Sequence, residues 1–349
     1  MKLSYYKFQL PKELLADKPS EFRDESRLMV VNRKDLSIQH LQFKNLVDFV
    51  DCGDVMVANN TKVFPARLEG TKEKTEAKIK IFLLRELNEE TLLWDVIVDP
   101  ARKIRVGNKL YFGSNESLVA EVCDNTTSRG RTIRFMFDGS HDEFIHTIKS
   151  LGQPPIPEDM YLRRGIKSYD KERYQTIYAS VEGAVMAPNT GLHFSHQLLK
   201  RLEIKDVNWT ELTLHIGLNC PIEVEDLSKH RMSSEEMHID GATCDTINNA
   251  KKNGHKICCV GASTLRAIES AVLVPGKICP FDGWTNKFIF HPYEFSVADM
   301  LVTSFHMPQS SQFIMTSAFC TPQLLHHAYE VAIAEKYRFS TYGDSMLII

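Results

Sequence analysis

The chain has 349 residues, 43% of them hydrophobic and 25% charged, with a net charge of −3. That length exceeds what one hydrophobic core usually organises, so two domains are expected, and the composition is that of a folded globular protein. The slightly acidic balance excludes a global basic field of the kind many nucleic-acid binders carry, so any such contact has to be local.

No apolar run approaches the roughly 20 residues a spanning helix needs. The first ten residues mix charge with aromatics and lack the basic start, apolar stretch and cleavage site of a leader. A cytoplasmic protein without a membrane partner is expected. Eight cysteines include no C-x-x-C pair, and Cys258 and Cys259 are adjacent within an apolar run. They read as reduced, buried thiols.

In chain order, "DVMVANN" from Asp54 reads as a strand leading into "TKVFPARLEG". Short β-branched and aromatic runs follow: "KIKIFLL", "LLWDVIV", "NKLYFG", "SLVAEV" and "RTIRFMF", separated by turn-forming Asn, Gly, Asp and Ser. No helical pattern interrupts them, so residues 66–149 are expected to form an inserted small all-β barrel. "EFIHTIKSLG" predicts a helix stopped by Gly152, and the proline-rich "GQPPIPEDMYLRR" predicts an extended connector.

Beyond it the pattern alternates. "TELTLHI", "KICCVGA", "DMLVTSF" and "TYGDSMLII" read as strands; "CDTINNAKKNG", "STLRAIESAV" and "TPQLLHHAYEVAIAEKY" read as helices, the last with Thr321 as cap and Pro322 at its first position. The fold class is therefore α/β, residues 1–65 and 150–349 forming a large domain of mainly parallel strands. "GLN", "GAS" and "HMPQSS" each follow a strand, on the edge where α/β folds place ligand sites.

"VMAPNTGLHFS" holds the first site candidates. Ser195 is a good helix cap with Phe194 as its staple, which leaves His193 just outside a helix start and behind Gly191, where backbone N–H groups can meet an anion. His193 is either a site histidine or a structural one. His215 alternates onto the face of Thr213 and Gly217 and, taken alone, reads first as a core histidine hydrogen-bonded to backbone and second as a site residue. His306 follows a strand directly and precedes a proline, a turn that also offers Ser310 and Ser311 as caps. His193 and His196 give one H-x-x-H spacing, weak as a metal signal. No G-x-S-x-G elbow, phosphate loop or dinucleotide fingerprint occurs. "YLRRGIKSYDKERYQ" gathers Arg163, Arg164, Lys167 and Arg173 among tyrosines, suited to phosphates and bases, although Glu158, Asp159, Asp170 and Glu172 dilute it.

Taken together, "APNTGLHFS", "LTLHIGL", "VEDLSKHRMSSE", "GASTLRAIES", "GWTNKFIFHPYEF", "SFHMPQSSQFIMTSAF" and "YRFSTYGDSML", with "RDESRLMVVNR", "NNTKVFPARLEG" and "ERYQTIYA", stand in the order of one enzyme family. The sequence resembles the S-adenosylmethionine:tRNA ribosyltransferase-isomerases of queuosine biosynthesis over essentially its full length. The resemblance implies an α/β domain like a distorted barrel with a β-barrel inserted near its N-terminal part. It also implies a reaction in which the ribosyl part of S-adenosylmethionine moves to 7-aminomethyl-7-deazaguanine in the tRNA wobble position. Adenine and methionine leave, and epoxyqueuosine remains in the tRNA.

On that resemblance His193, His215 and His306 form an acid/base pool, and Glu235 and Asp344 are carboxylates for the sulfonium or the methionine amine. Arg266 suits the methionine carboxylate, and Gly191 lets a ligand approach. The partners implied are S-adenosylmethionine as ribosyl donor and a tRNA with a GUN anticodon, with no metal, for a monomer. Departures from the family pattern stand at Asn189 and Thr190, in "LNCPIEV", and at Ser233, Ser304, Gln309 and Gln312. The alternative is thus a divergent, non-catalytic tRNA-binding relative. A metal-dependent hydrolase using the three histidines is the third reading.

Overall fold

A computed structural model describes residues 1–218 and 221–349, apart from the side chain of Asn115. The chain divides into two compact units. One comprises Met1–Lys62, Arg173–Glu182 and Ala187–Ile349; the other comprises Val63–Glu172 and Gly183–Met186.

The second unit holds a closed antiparallel barrel of six strands: Arg67–Lys72, Lys78–Asn88, Leu93–Asp99, Lys109–Phe112, Leu118–Asn125 and Gly130–Met136. Closure pairs the last strand with both Leu93–Asp99 and Leu118–Asn125, which leaves no free edge. The alternating burial along Leu93–Asp99 follows from every second side chain entering the barrel. Residues 150–172, which the sequence pattern assigns to the α/β domain, group here instead. Arg67 and Gln153 exchange backbone hydrogen bonds, and the Arg67 guanidinium donates to the Ile156 carbonyl.

The connector is also not extended throughout, since Glu158–Arg164 forms a helix. The three prolines bar helix only up to Pro157. Past it, Glu158 and Asp159 at the positive end and Arg163 and Arg164 at the negative end favour helix.

The first unit is built on a nine-stranded sheet in the order Phe281–Thr285, Glu235–Ile239, Asn208–Leu214, Val55–Asn59, Ile257–Val260, Met300–Ser304, Ser345–Ile348, Arg27–Val31, Ile38–Gln42. The four strands from Asn208–Leu214 to Met300–Ser304 are mutually parallel, as is the pair Arg27–Val31 and Ser345–Ile348. The flanks are antiparallel, and so is Ser345–Ile348 against Met300–Ser304, so the sheet is mixed rather than mainly parallel. Two successive helices, Ser311–Cys320 and Pro322–Ala334, separate those strands and return the chain to the edge it left.

Alternation along the strands feeds two cores. Met29, Val31, Val55, Val57, Ile257 and Cys259 face one way, and Leu28, Val30, Met56, Ala58, Cys258 and Val260 the other. Cys258 and Cys259 are therefore on opposite faces. The expectation of buried thiols fails at Cys52 and Cys123, which are exposed, and at Cys279, which is half-buried. Cys123 lies on the outer part of a barrel strand and Cys52 in a turn.

Candidate active site

The sheet topology brings the carboxyl ends of the four central parallel strands together with the amino ends of Arg27–Val31 and Ser345–Ile348. All three candidate histidines stand along this edge. Asn59, buried at the end of its strand, shapes the middle of it. Its side-chain oxygen accepts from Leu214 N at 3.0 Å and Thr61 N at 3.1 Å, while Nδ2 donates to the Leu214 carbonyl at 2.9 Å and to Ser263 Oγ at 3.3 Å. Asn59 thus ties two strand ends and the start of helix Ala262–Ser270 to one point.

From that frame His215 emerges half-buried with Nδ1 2.8 Å from Thr61 Oγ1. Burial lowers its pKa, and Glu236 opposes this in part. Two residues on, Gly217 N donates to Glu235 Oε1 at 2.8 Å, and the other Glu235 oxygen pairs with the Arg266 guanidinium. Arg266 is 5% exposed, and desolvation lowers its pKa to about 10. Its Nε has no hydrogen-bond partner among the described residues.

His193 ends the 3₁₀ turn Asn189–His193, and Ser195 caps the next helix by accepting from Leu198 N at 3.0 Å. The imidazole is 6% exposed, with Nδ1 2.8 Å from Ser26 Oγ and its ring 5.1 Å from that of Phe43. Burial lowers its pKa to about 4; Asp344 pulls the other way and Arg338 with burial. His193 lines a small pocket with Ser20, Arg23, Arg173, Thr341 and Tyr342.

Asp344 itself, 1% exposed, is fully engaged. It accepts from Arg27 N at 3.0 Å, Arg338 N at 2.8 Å and the Arg338 guanidinium at 3.0 Å. Gly191 is needed by the protein's own packing, because a side chain there would collide with the Tyr178 hydroxyl and with Thr176.

His306 lies past the strand Met300–Ser304 with Nε2 2.8 Å from Thr303 Oγ1, and its backbone N–H donates to the Tyr329 hydroxyl at 2.8 Å. Burial lowers its pKa to about 4. Among the described residues no cluster of three His, Cys, Asp or Glu side chains is placed to hold a metal ion, and His196 is exposed.

Two of the departures meet here: Thr190 Oγ1 and Ser304 Oγ, both buried, are 3.1 Å apart. Gln309 adopts a left-handed backbone at φ 59° and donates from N to the Tyr6 carbonyl. In "LNCPIEV", Asn219 and Cys220 lie outside the described residues.

The basic stretch is divided between the units. Arg163 pairs with Asp159 at 2.7 Å on an exposed helix face, and Lys167 is exposed. Arg164 is different: its fork takes both oxygens of the fully buried Asp170 at 2.8 Å. Arg173 donates to the Ser20 carbonyl at 2.6 Å and the Glu21 carbonyl at 3.1 Å.

The sequence profile of the queuosine biosynthesis protein family matches residues 3–348. This chain belongs to that family. It is similar over the full length of both chains to proteins named S-adenosylmethionine:tRNA ribosyltransferase-isomerase, with 60% identity to that of Flavobacterium psychrophilum and 57% to that of Parabacteroides distasonis. Its fold is similar to the crystal structure of the S-adenosylmethionine tRNA ribosyltransferase from Thermotoga maritima. There the TM-score is 0.56 and the identity 28%, over 99% of this chain and 100% of that one.

Sequence reasoning about this family member missed Ser26, Asn59, Thr61 and Thr303, which hold the histidines in place. Their signal was position: small polar residues at the very ends of apolar strands, inside segments the family resemblance already marked.

Proposed function

We propose that this chain transfers and isomerises the ribosyl moiety of S-adenosylmethionine onto 7-aminomethyl-7-deazaguanine at the tRNA wobble position. The products are adenine, methionine and epoxyqueuosine in tRNA. The observation that carries the reading is full-length identity of 48–60% to relatives bearing that enzyme's name. The non-catalytic alternative is not favoured by the same observation.

The chemistry calls for groups this edge supplies. A sulfonium acidifies the neighbouring 5′ carbon, whose proton has to be removed, and the departing adenine has to be protonated or hydrogen-bonded. Neutral imidazoles suit both needs, and burial keeps His193, His215 and His306 neutral at pH 7. Arg266 and Glu235 suit the two ends of a methionine zwitterion, and the unpartnered Arg266 Nε is a donor in want of an acceptor. Asp344 acts on the site through its field at His193.

In this reading the nine-stranded unit carries the chemistry, Arg163 and Lys167 meet tRNA phosphates, and Arg173 serves anionic groups at the His193 pocket. S-adenosylmethionine enters as a substrate, and no step is assigned to a metal. The tRNA carries a GUN anticodon, the protein is a monomer, and it works in the cytoplasm.

The test is turnover: purified protein, S-adenosylmethionine and tRNA bearing the deazaguanine, followed by mass spectrometry. Adenine release together with epoxyqueuosine is expected. Neither product, with an active relative working alongside, overturns the reading.

A further inference from the structure

Three hydroxyls meet three histidines along the site edge, and each is enclosed: Ser26 is 2% exposed, Thr61 0% and Thr303 0%. For each hydroxyl, the ring nitrogen at 2.8 Å is the one partner among the described residues. A buried O–H without an acceptor is unfavourable, so the hydroxyl donates its hydrogen bond to the ring nitrogen. A ring nitrogen that accepts carries no proton, and a neutral imidazole then carries its proton on the other nitrogen.

His193 differs, because the Arg23 backbone also acts on its ring. At His215 the remaining nitrogen is Nε2, and at His306 it is Nδ1; neither has a partner among the described residues.

We infer that His215 and His306 face the ligand as neutral hydrogen-bond donors, through Nε2–H and Nδ1–H respectively. Thr61 and Thr303 are the positioning residues that hold those tautomers. The acceptors that fit are the ring nitrogens of a purine leaving group. Negative charge grows there as the glycosidic bond breaks, and a fixed N–H stabilises it. The identity of that ligand rests on the function proposed above; the tautomers do not.

The two rings are assigned opposite tautomers, which makes the inference readable by spectroscopy. In ¹⁵N-histidine-labelled protein near pH 7, long-range ¹H–¹⁵N spectra separate the lone-pair nitrogen from the protonated one. His215→Gln and His306→Gln identify the signals. The lone pair is expected on Nδ1 of His215 and on Nε2 of His306. A protonated Nε2 at His306, or a lone pair on Nε2 of His215, overturns the assignment.

Thr303→Val is expected to shift His306 toward Nε2–H and to lower kcat roughly a hundredfold, the scale of losing one aligned donor. KM for S-adenosylmethionine should change little, and Thr303→Ser should keep both the tautomer and the rate. Equal loss in both variants with an unchanged tautomer would refute the positioning role. Because the spectra need no turnover, a chain that fails to make epoxyqueuosine would sink the functional reading while the tautomers are still tested.

Discussion

Acid should destabilise the α/β unit through His193. Burial, against the opposing charge of Asp344, sets the folded pKa at about 4 beside an ordinary 6.5. The folded state therefore binds fewer protons than the unfolded state between these values, and stability falls as pH drops. The contribution is fully present above pH 6.5, declines from there to about 4, and is flat below. At 1.36 kcal/mol per pH unit, the gap corresponds to about 3 kcal/mol at most.

Other groups titrate over the same range, so the quantity to measure is a difference. His193→Gln keeps a polar group beside Ser26 and removes the titration. Urea unfolding can be followed by the fluorescence of Trp209 and Trp284, both in this unit, in a Trp94→Phe background that silences the barrel's own tryptophan. Measured at intervals from pH 7.5 to 4, the stability of the His193 protein relative to the Gln variant should fall by about 3 kcal/mol. A difference that stays flat across this range refutes the claim that a buried neutral imidazole is what the fold encloses.

Two further outcomes separate packing from binding. Arg164→Ala should lower thermal stability by about 3–5 kcal/mol, because it strands the buried Asp170 carboxylate; Lys167→Ala should leave stability unchanged and reduce the salt slope of tRNA binding by about one. A reduced slope with unchanged melting for Arg164→Ala would return that residue to the nucleic-acid surface. Gly191→Ala should cost about 1–3 kcal/mol by overpacking against Tyr178. Tyr178→Phe in the same chain should recover part of it in denaturant unfolding, and no recovery would mean that the hydroxyl is not the obstacle.

Much of this architecture is legible in the chain itself. Five of the six barrel strands and much of the alternation of strands and helices follow from period and punctuation, because turn residues and strand alternation are local properties. The helix after Pro157 was hidden by reading three prolines as a property of the whole segment, when each restrains only its own neighbourhood. Candidate histidines were visible too, since polar residues just past apolar strands mark the edge where ligands meet an α/β sheet.

Tertiary structure alone decided what those residues do to one another. Arg164 and Lys167 look alike in a basic stretch, yet one is locked to a buried carboxylate and the other is exposed. Gly191 reads as an opening for a ligand until Tyr178 fills the space. Ser26 and His193 are 167 residues apart, Thr61 and His215 154. Sequence encodes which side chains can give or accept a proton. Which nitrogen accepts depends on a hydroxyl delivered by a distant strand, and that depends on sheet order and register, where long-range pairing sets what local pattern cannot.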